Sequence, residues 1–550
     1  MSEPFEINQD WDAIIIGTGM GGATLGYALA RAGHRVLFCE KGKSHLNNPR
    51  ALLGSYAETF FPQSEAPNPR HREFLSQAGR YQDQIKDQSS DRPRTFIPFI
   101  GSGTGGSTAL YGMALERFFP SDFQPRCNYP NTPETTLPEE WPISYADLAP
   151  YYASAEKLFR IRGTPDPLRT EDPPGHFMPP PPLTPVANEL FEFFRSKHLH
   201  PYRLPMACEF VQGCACCQGY LCDKNCKNDA SRICLEPVIS NHGAKLLDEC
   251  EVLKLEASRT QVTSVVCNWR GTEFSLHGKR IILAAGALES PGILLRSASE
   301  HWPNGLANDS MLVGRNLMRH HVDLYLISPK VQGRFDNCRK EFAFNDLYQN
   351  DGQKLGSVQS FGRLPPAPVL AASLEEDLRE SALPWTASLF KLAKPIMWPF
   401  LSQLVNNRMI LATTLEDLPY SDNRITTFPA QFPTQASLKD ARLSIDYRIR
   451  SYDAERIEAF RKYMKNMLKP YRFTLIKQAE NNQRIAHACG TCRFGMNSRD
   501  SVLDKYNRAH ALSNLYVIDS SFFPSSGGTN PSLTIAANAL RVASHLIQTS

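Results

Sequence analysis

One turn near the amino terminus narrows the fold before anything else does. Asp12-Ala-Ile-Ile-Ile-Gly17 is a short apolar run of strand type, followed by Gly17-Thr18-Gly19-Met20-Gly21-Gly22 and a helical stretch from Ala23 to Ala32. A second strand-like run, His34 to Cys39, ends in Glu40. Each glycine answers a physical need at that spacing. Gly17 makes the tight turn, Gly19 lets the backbone approach a pyrophosphate, and Gly22 lets helix pack closely on strand. The helix N-terminus adds unpaired N–H groups and a partial positive charge for phosphate. Glu40, 23 residues after Gly17, stands where a carboxylate accepts a hydrogen bond from a ribose hydroxyl. The set predicts a dinucleotide-binding α/β domain, without separating NAD from FAD.

The chain has 550 residues, three to four domains' worth at about 150 each. With 42% hydrophobic and 21% charged residues it is neither disordered nor fibrous. Net charge is +4, with no clustered basic stripe, so no nucleic-acid partner is expected. The first residues carry no basic segment or cleavage site, which predicts a reducing compartment, the cytoplasm. No run of 18 apolar residues exists, so no transmembrane span is expected. The nearest approach, 382–405, is broken by Pro384, Pro395, Pro399, Lys391 and Lys394. It reads as two short buried helices, with peripheral membrane contact or the roof of an apolar pocket as alternatives.

Three further blocks carry chemistry. Gly101-Ser-Gly-Thr-Gly105-Gly106-Ser107-Thr108-Ala-Leu-Tyr111-Gly112-Met113 lies between an apolar strand, Thr95 to Ile100, and an ordered-looking run to Phe119. So many small residues predict backbone lying against something large and flat. Arg280 to Ser297 reads as a buried strand, a turn and a helix opening near Pro291. The carboxyl-terminal block holds His487-Ala-Cys-Gly490-Thr491-Cys-Arg493-Phe-Gly495, then Asp519, then Gly527-Gly-Thr-Asn530-Pro531.

In this order, and with Trp141 to Tyr145 and Val313 to His320, the blocks resemble the glucose–methanol–choline (GMC) oxidoreductases, a family of flavoenzymes. Glu416 to Pro419, Asn423-Arg424 and the ending NPSLTIAANALR look more like bacterial dehydrogenases of sugars, sugar acids or long-chain alcohols than secreted fungal oxidases. The resemblance implies FAD, with its ADP part on the first glycine turn and its ribose at Glu40. The flavin would lie against Gly105, Gly106, Ser107 and Thr108, with the adenine near Val252 and the pyrophosphate–ribityl region at Asp519. It also implies a Rossmann-like FAD domain assembled from 8–120, 235–325 and 485–550. A substrate domain from 121–234 and 326–484 would be built on an antiparallel sheet, with strands such as Ile410 to Leu415 and Ala441 to Arg448.

By the same resemblance His487 is the catalytic base. A neutral imidazole, pKa about 6.5, can take a hydroxyl proton as hydride leaves the carbon. Asn530 matches the second family position, His or Asn, and would bond the substrate oxygen without competing for its proton. Asn530-Pro531 also reads as N-cap and N1 of a helix from about Ser532 to Leu546, its N-terminus turned to the flavin pyrimidine ring. Tyr111 departs from the family, where many members have Asn. No His lies in 105–112, so the FAD is expected to be non-covalent.

Cysteine is the compositional anomaly: 14 in all, seven of them between Cys208 and Cys234. Thiols clustered in a reducing compartment bind metal or a cofactor more readily than they form disulfides. Cys214, Cys216, Cys217, Cys222 and Cys226 are the candidate ligands. Some bacterial GMC sugar dehydrogenases carry a [3Fe-4S] cluster in this stretch, and Cys216-Cys217-x4-Cys222 resembles their spacing. A closed zinc site, disulfides or free thiols remain alternatives. The expected function is FAD-dependent oxidation of a CH–OH group in an alcohol, sugar or amphiphilic alcohol. Electrons would pass to a cluster, quinone, cytochrome or small subunit; an O₂-using oxidase and a non-redox, lyase-like flavoprotein are the alternatives.

Overall fold

The computed structural model describes residues 9–61, 68–169, 175–331, 339–348, 353–379, 385–391, 393, 407–427, 442–483, 485 and 487–549. The fold is mixed α/β. Five parallel strands form one sheet in the order Leu515–Val517, Gly278–Leu283, Trp11–Ile16, Val36–Cys39 and Lys245–Leu247. Its strands come from both ends and the middle of the chain. Trp11–Ile16 lies at the centre, so the turn that leaves it opens into the crevice beyond the strands' carboxyl ends. Helix Met20–Arg31 packs between this sheet and the last helix, Ser532–Gln548. The approach is close: a Cβ on Gly22 would stand 2.3 Å from the Gly17 carbonyl oxygen, and one on Gly26 would stand 2.3 Å from the Phe38 ring.

A six-stranded antiparallel sheet faces it, in the order Arg472–Ile476, His321–Ser328, Met409–Leu415, Gly356–Ser360, Phe342–Phe344 and Tyr202–Arg203. Met409–Leu415 alternates cleanly, as a period of two requires. Met409 and Leu411 join the core beneath helices Pro185–Ser196 and Ser451–Met467. Ile410 and Ala412 turn to the opposite face with Leu324, Leu326 and Leu364.

Four sequence expectations change here. The strand at Thr95 to Ile100 is shorter, Arg94–Phe96, because Pro98 lacks a ladder donor. Leu443–Asp446 does form a strand, but it pairs with Arg424–Thr427 and, in parallel, with Ile85–Asp87, not within the six-stranded sheet. The helix expected near Pro291 opens five residues earlier and runs Gly286–Arg296 with the proline inside. Pro291 has no N–H for the Ala287 carbonyl, and Thr491 supplies the missing donor from its hydroxyl at 2.7 Å. Of the apolar stretch 382–405, residues 382–384, 392 and 394–405 lie outside the described residues. The part described, 385–391, is helical, with Ala387 buried but Trp385 61% and Leu389 55% exposed.

Candidate active site

Between the two sheets lies a cavity of about 670 Å³. At one end Gly17, Gly19, Glu40, Val252 and Asp519 line it, and Gly106, Ser107 and Thr108 form part of its wall. At the other end stand His320, Lys340, Gln359, His487, Asn530 and Pro531. Of the residues expected at the cofactor, Gly22 and Gly105 do not line the cavity. Gly22 serves helix–strand packing. Gly105, at φ +81°, turns the chain against Ser231, 3.1 Å from where its Cβ would be.

The dinucleotide end is built for backbone approach. Gly17 holds φ +99°, and a Cβ there would meet the Ala284 carbonyl oxygen at 2.4 Å. A Cβ on Gly19 would meet nothing within 4 Å, and the helix it opens has no side-chain cap. This cradle leaves the first N–H groups of the helix free for phosphate. Glu40 is buried and joins three loops. Its carboxylate accepts from Thr18 N (3.1 Å), Thr18 Oγ1 (2.6 Å), Gly42 N (3.0 Å) and Gly103 N (3.0 Å). Asp519, also buried, accepts from Gly286 N at 2.9 Å and Ser521 N at 2.9 Å, fixing the start of helix Gly286–Arg296. Burial pushes both carboxyls up, against the pull of these hydrogen bonds.

The opposite end is organised by two histidines. Met318 and Cys489 exchange both backbone hydrogen bonds at 3.0 Å, so the antiparallel register sets His320 opposite His487. Their Nδ1 atoms are 2.7 Å apart. His320 Nε2 faces the Ser526 and Gly527 carbonyls at 3.1 and 2.8 Å. Carbonyls only accept, so His320 Nε2 carries the hydrogen and its Nδ1 is an acceptor. His487 must then donate from Nδ1, which leaves the lone pair on its Nε2. Burial holds His487 well below the ordinary histidine range, aided by the neighbouring His320 and Lys340, and burial lowers His320 too. Both rings are neutral at pH 7. His487 also holds φ +59°, a left-handed conformation that costs about 1–3 kcal/mol in a non-glycine residue.

Two family models described as GMC oxidoreductase match residues 206–322 and 419–539. The chain belongs to the GMC oxidoreductase family. It is 28% identical to 6'''-hydroxyparomomycin C oxidase of Streptomyces lividus, across 99% of this chain and 93% of that one. It is 25% identical to 2-methyl-1,2-propanediol dehydrogenase of Mycolicibacterium austroafricanum, across 97% and 95%. Pyridoxine 4-oxidase from Mesorbium loti shares its fold, with TM-score 0.62 and 20% identity over 98% of this chain and 99% of that one. The chain is accordingly an oxidoreductase of a family that binds FAD. The open Gly19 cradle and the cavity of about 670 Å³ fit that group.

In this GMC chain Asn530 is not the N-cap of the last helix. Helix Ser532–Gln548 runs two residues past Leu546, and Pro531, at φ −83° and ψ −13°, occupies the cap position. The Asn530 amide donates sideways, to Gln359 Oε1 at 3.1 Å and Glu116 Oε2 at 3.4 Å. The loop that carries it is held from below by buried groups. Glu416 Oε1 accepts from Gly527 N (3.1 Å), Tyr348 Oη accepts from Gly528 N (2.7 Å), and Lys354 sits between Asp122 and Glu416. Tyr111 is half-buried and donates to the Asn228 carbonyl at 2.6 Å. Glu116, Gln359 and Lys340 were not foreseen from sequence; His320 was quoted within its motif but given no role.

The cysteines divide. Buried Cys208 and Cys226 form one group with half-buried Cys214, and Cys217 and Cys222 with Asp223 form another. Sγ separations are 3.8 Å for Cys208–Cys214, 3.1 Å for Cys214–Cys226 and 3.6 Å for Cys222–Cys226. Cys208 was not among the expected ligands, and Cys216 belongs to neither group, although its sulfur is 4.0 Å from that of Cys214. Thiolates sharing one zinc at about 2.3 Å stand about 3.8 Å apart in a tetrahedron. Thiolates on different irons of a cluster are spread wider by the bridging sulfides. Cys208–Cys214 has the separation of two thiolates on one zinc, Cys214–Cys226 is closer than that, and Cys222–Cys226 joins the two groups.

Proposed function

We propose that this oxidoreductase oxidises the CH–OH group of an alcohol or sugar to a carbonyl, with His487 as the base. The observation that carries this reading is the hydrogen-bond order from the Ser526 and Gly527 carbonyls through His320 to His487, which leaves a basic Nε2. FAD, when bound, supplies the two-electron hydride acceptor. The chain supplies the rest. His487 Nε2 takes the hydroxyl proton, and Asn530 holds the substrate oxygen by turning to it the amide hydrogen that otherwise makes the longer bond, 3.4 Å, to Glu116. The low basicity that burial gives His487 keeps it unprotonated before substrate arrives. Proton and hydride leave the carbinol together as H⁺ and H⁻, so the carbonyl product balances.

Anaerobic mixing with a panel of alcohols and sugars tests this. His487→Ala is expected to slow reduction of the bound flavin by about 10²–10⁴-fold at unchanged FAD content. Equal rates in the variant would end the reading.

Electrons then pass to an external acceptor. The relatives named above include both an oxidase and a dehydrogenase, so dioxygen, a quinone, a cytochrome or a small subunit are the candidates. Reoxidation in air over minutes would remove the oxidase. The grouping of Cys208, Cys214 and Cys226 supports a soft metal there, zinc or an iron–sulfur cluster. Metal analysis decides between them: zinc without iron removes the relay, and stoichiometric iron supports it. Among the described residues no helix is long and apolar enough to cross a membrane. The exposed Trp385 and Leu389 support contact with a membrane surface, and the many free cysteines support a reducing, cytoplasmic site.

A further inference from the structure

We propose that the substrate is an alcohol that also carries a carboxylate, and that Lys340 binds this carboxylate in the cavity wall. The inference rests on the oxidation reading above and names the substrate class for the same site.

Lys340 is 9% exposed and lines the cavity with His487 and Asn530. Among the described residues its ammonium has neither a hydrogen-bond nor an ion-pair partner. The chain treats its other buried lysines differently. Lys354 lies between Asp122 and Glu416. Lys227 donates to the Ala109 and Tyr220 carbonyls at 2.6 and 2.9 Å. The ammonium opens on the cavity, and one with no protein partner is completed by what enters that cavity. Around Lys340 Nζ stand the Phe361 ring, 5.1 Å away at its centroid, and Gly112, where a Cβ would stand 2.5 Å from it. The missing side chain at Gly112 makes the room.

The carboxylate that acts on Lys340 from a distance is Glu116. It is already engaged, accepting from Tyr202, from Thr529 Oγ1 at 2.9 Å and from Asn530 Nδ2 at 3.4 Å. Burial brings Lys340 down to about 8, with Glu116 opposing, so the amine still holds its proton at neutral pH. Its charge also reaches His487, which places the two groups within electrostatic range across one cavity. One ammonium balances one negative charge. A phosphate monoester would leave a surplus charge in a cavity whose walls include Leu324, Leu364, Val369, Leu370 and Ile476. A carboxylate does not. The hydroxyl therefore lies toward His487 and Asn530, the carboxylate at Lys340, and the hydrocarbon between apolar walls. The carboxylate is a spectator: the carbinol alone loses H⁺ and H⁻, and the product is the oxo acid.

The test uses the FAD-loaded enzyme. 4-Hydroxymethylbenzoate, phenyllactate and 6-hydroxyhexanoate are each compared with their own amide as anaerobic reductants of the flavin. In parallel, benzoate and benzamide, which cannot be oxidised, are titrated by the change in the bound flavin's visible spectrum. The wild type is expected to favour acid over amide at least tenfold in both assays, with the preference fading above about pH 8. In Lys340→Gln and Lys340→Met that ratio should fall to within threefold of one, and Lys340→Arg should keep part of it. A wild type with no acid preference, or a ratio unchanged in Lys340→Gln, overturns the proposal. If neutral alcohols reduce the flavin and acids do no better, this inference alone falls. If no alcohol of either kind reduces it, the oxidation reading falls, and the benzoate titration decides whether Lys340 is an anion site.

Discussion

Replacing His320 with Phe removes the one acceptor that orders the His487 ring. In the native arrangement His487 Nδ1–H donates to His320 Nδ1 at 2.7 Å, and the Ser526 and Gly527 carbonyls force that direction. With Phe at 320 the Nδ1–H is left buried and unsatisfied, which costs about 1–3 kcal/mol. The ring escapes the cost by moving its hydrogen to Nε2 or by turning, and either change takes the lone pair from the substrate. At about 1.4 kcal/mol per tenfold, flavin reduction should slow by about 5- to 150-fold. His320→Asn restores an acceptor near the lost Nδ1 and should recover most of that rate. The assay is stopped-flow anaerobic reduction by the best alcohol found, at matched FAD content and melting temperature. A His320→Phe enzyme within twofold of wild type would refute the tautomer argument, as would a His320→Asn enzyme no better than His320→Phe.

Two glycines should separate folding from cofactor binding. Gly22→Ala meets the Gly17 carbonyl oxygen at 2.3 Å and should lose about 1–3 kcal/mol of stability in denaturant melts. Gly19→Ala meets no protein atom within 4 Å, so it should melt like wild type without cofactor yet bind FAD at least tenfold more weakly. Lys354→Met leaves Asp122 and Glu416 buried without their cation and should cost about 3–5 kcal/mol, read from the same melts. Burial, with His320 and Lys340, depresses His487, so flavin reduction should stay flat as pH falls through 6.5, its acid limb lying lower. The same depression makes stability fall with pH below about 6.5, because unfolded chains take up the proton that the native ring refuses; His487→Gln should remove that component. Burial raises Glu289, but Lys41, Arg296 and the Tyr81 hydroxyl more than reverse this and hold it at about 2. Its contribution is therefore full above its unfolded value of about 4.5 and lost toward pH 2, and Glu289→Gln should flatten that limb of an acid-denaturation curve.

What the sequence could reveal followed the range of the physics behind each residue. The dinucleotide turn was legible because its constraints are local. Gly17 needs a positive φ, and Gly22 touches an oxygen five residues away. The run from Ala441 to Arg448 reads as a strand of the antiparallel sheet, but a strand-like run says nothing about which strand lies alongside. Partner choice came from Arg424–Thr427 and Ile85–Asp87. Lys340, Gln359 and Glu116 reach the cavity by long-range pairing and carry no motif of their own. The block from His487 to Gly495 shows how one motif serves several ends. His487 faces the cavity, Cys489 pairs with Met318 to set the histidines opposite each other, and Thr491 satisfies the Ala287 carbonyl that Pro291 leaves open. That last bond spans 204 residues. It explains why a helix expected to open at Pro291 instead runs through it, and why Thr491 is mechanically tied to the start of the helix that Asp519 also fixes. A substitution at Thr491 should therefore disturb the dinucleotide end and the histidine pair together, although its side chain lines neither.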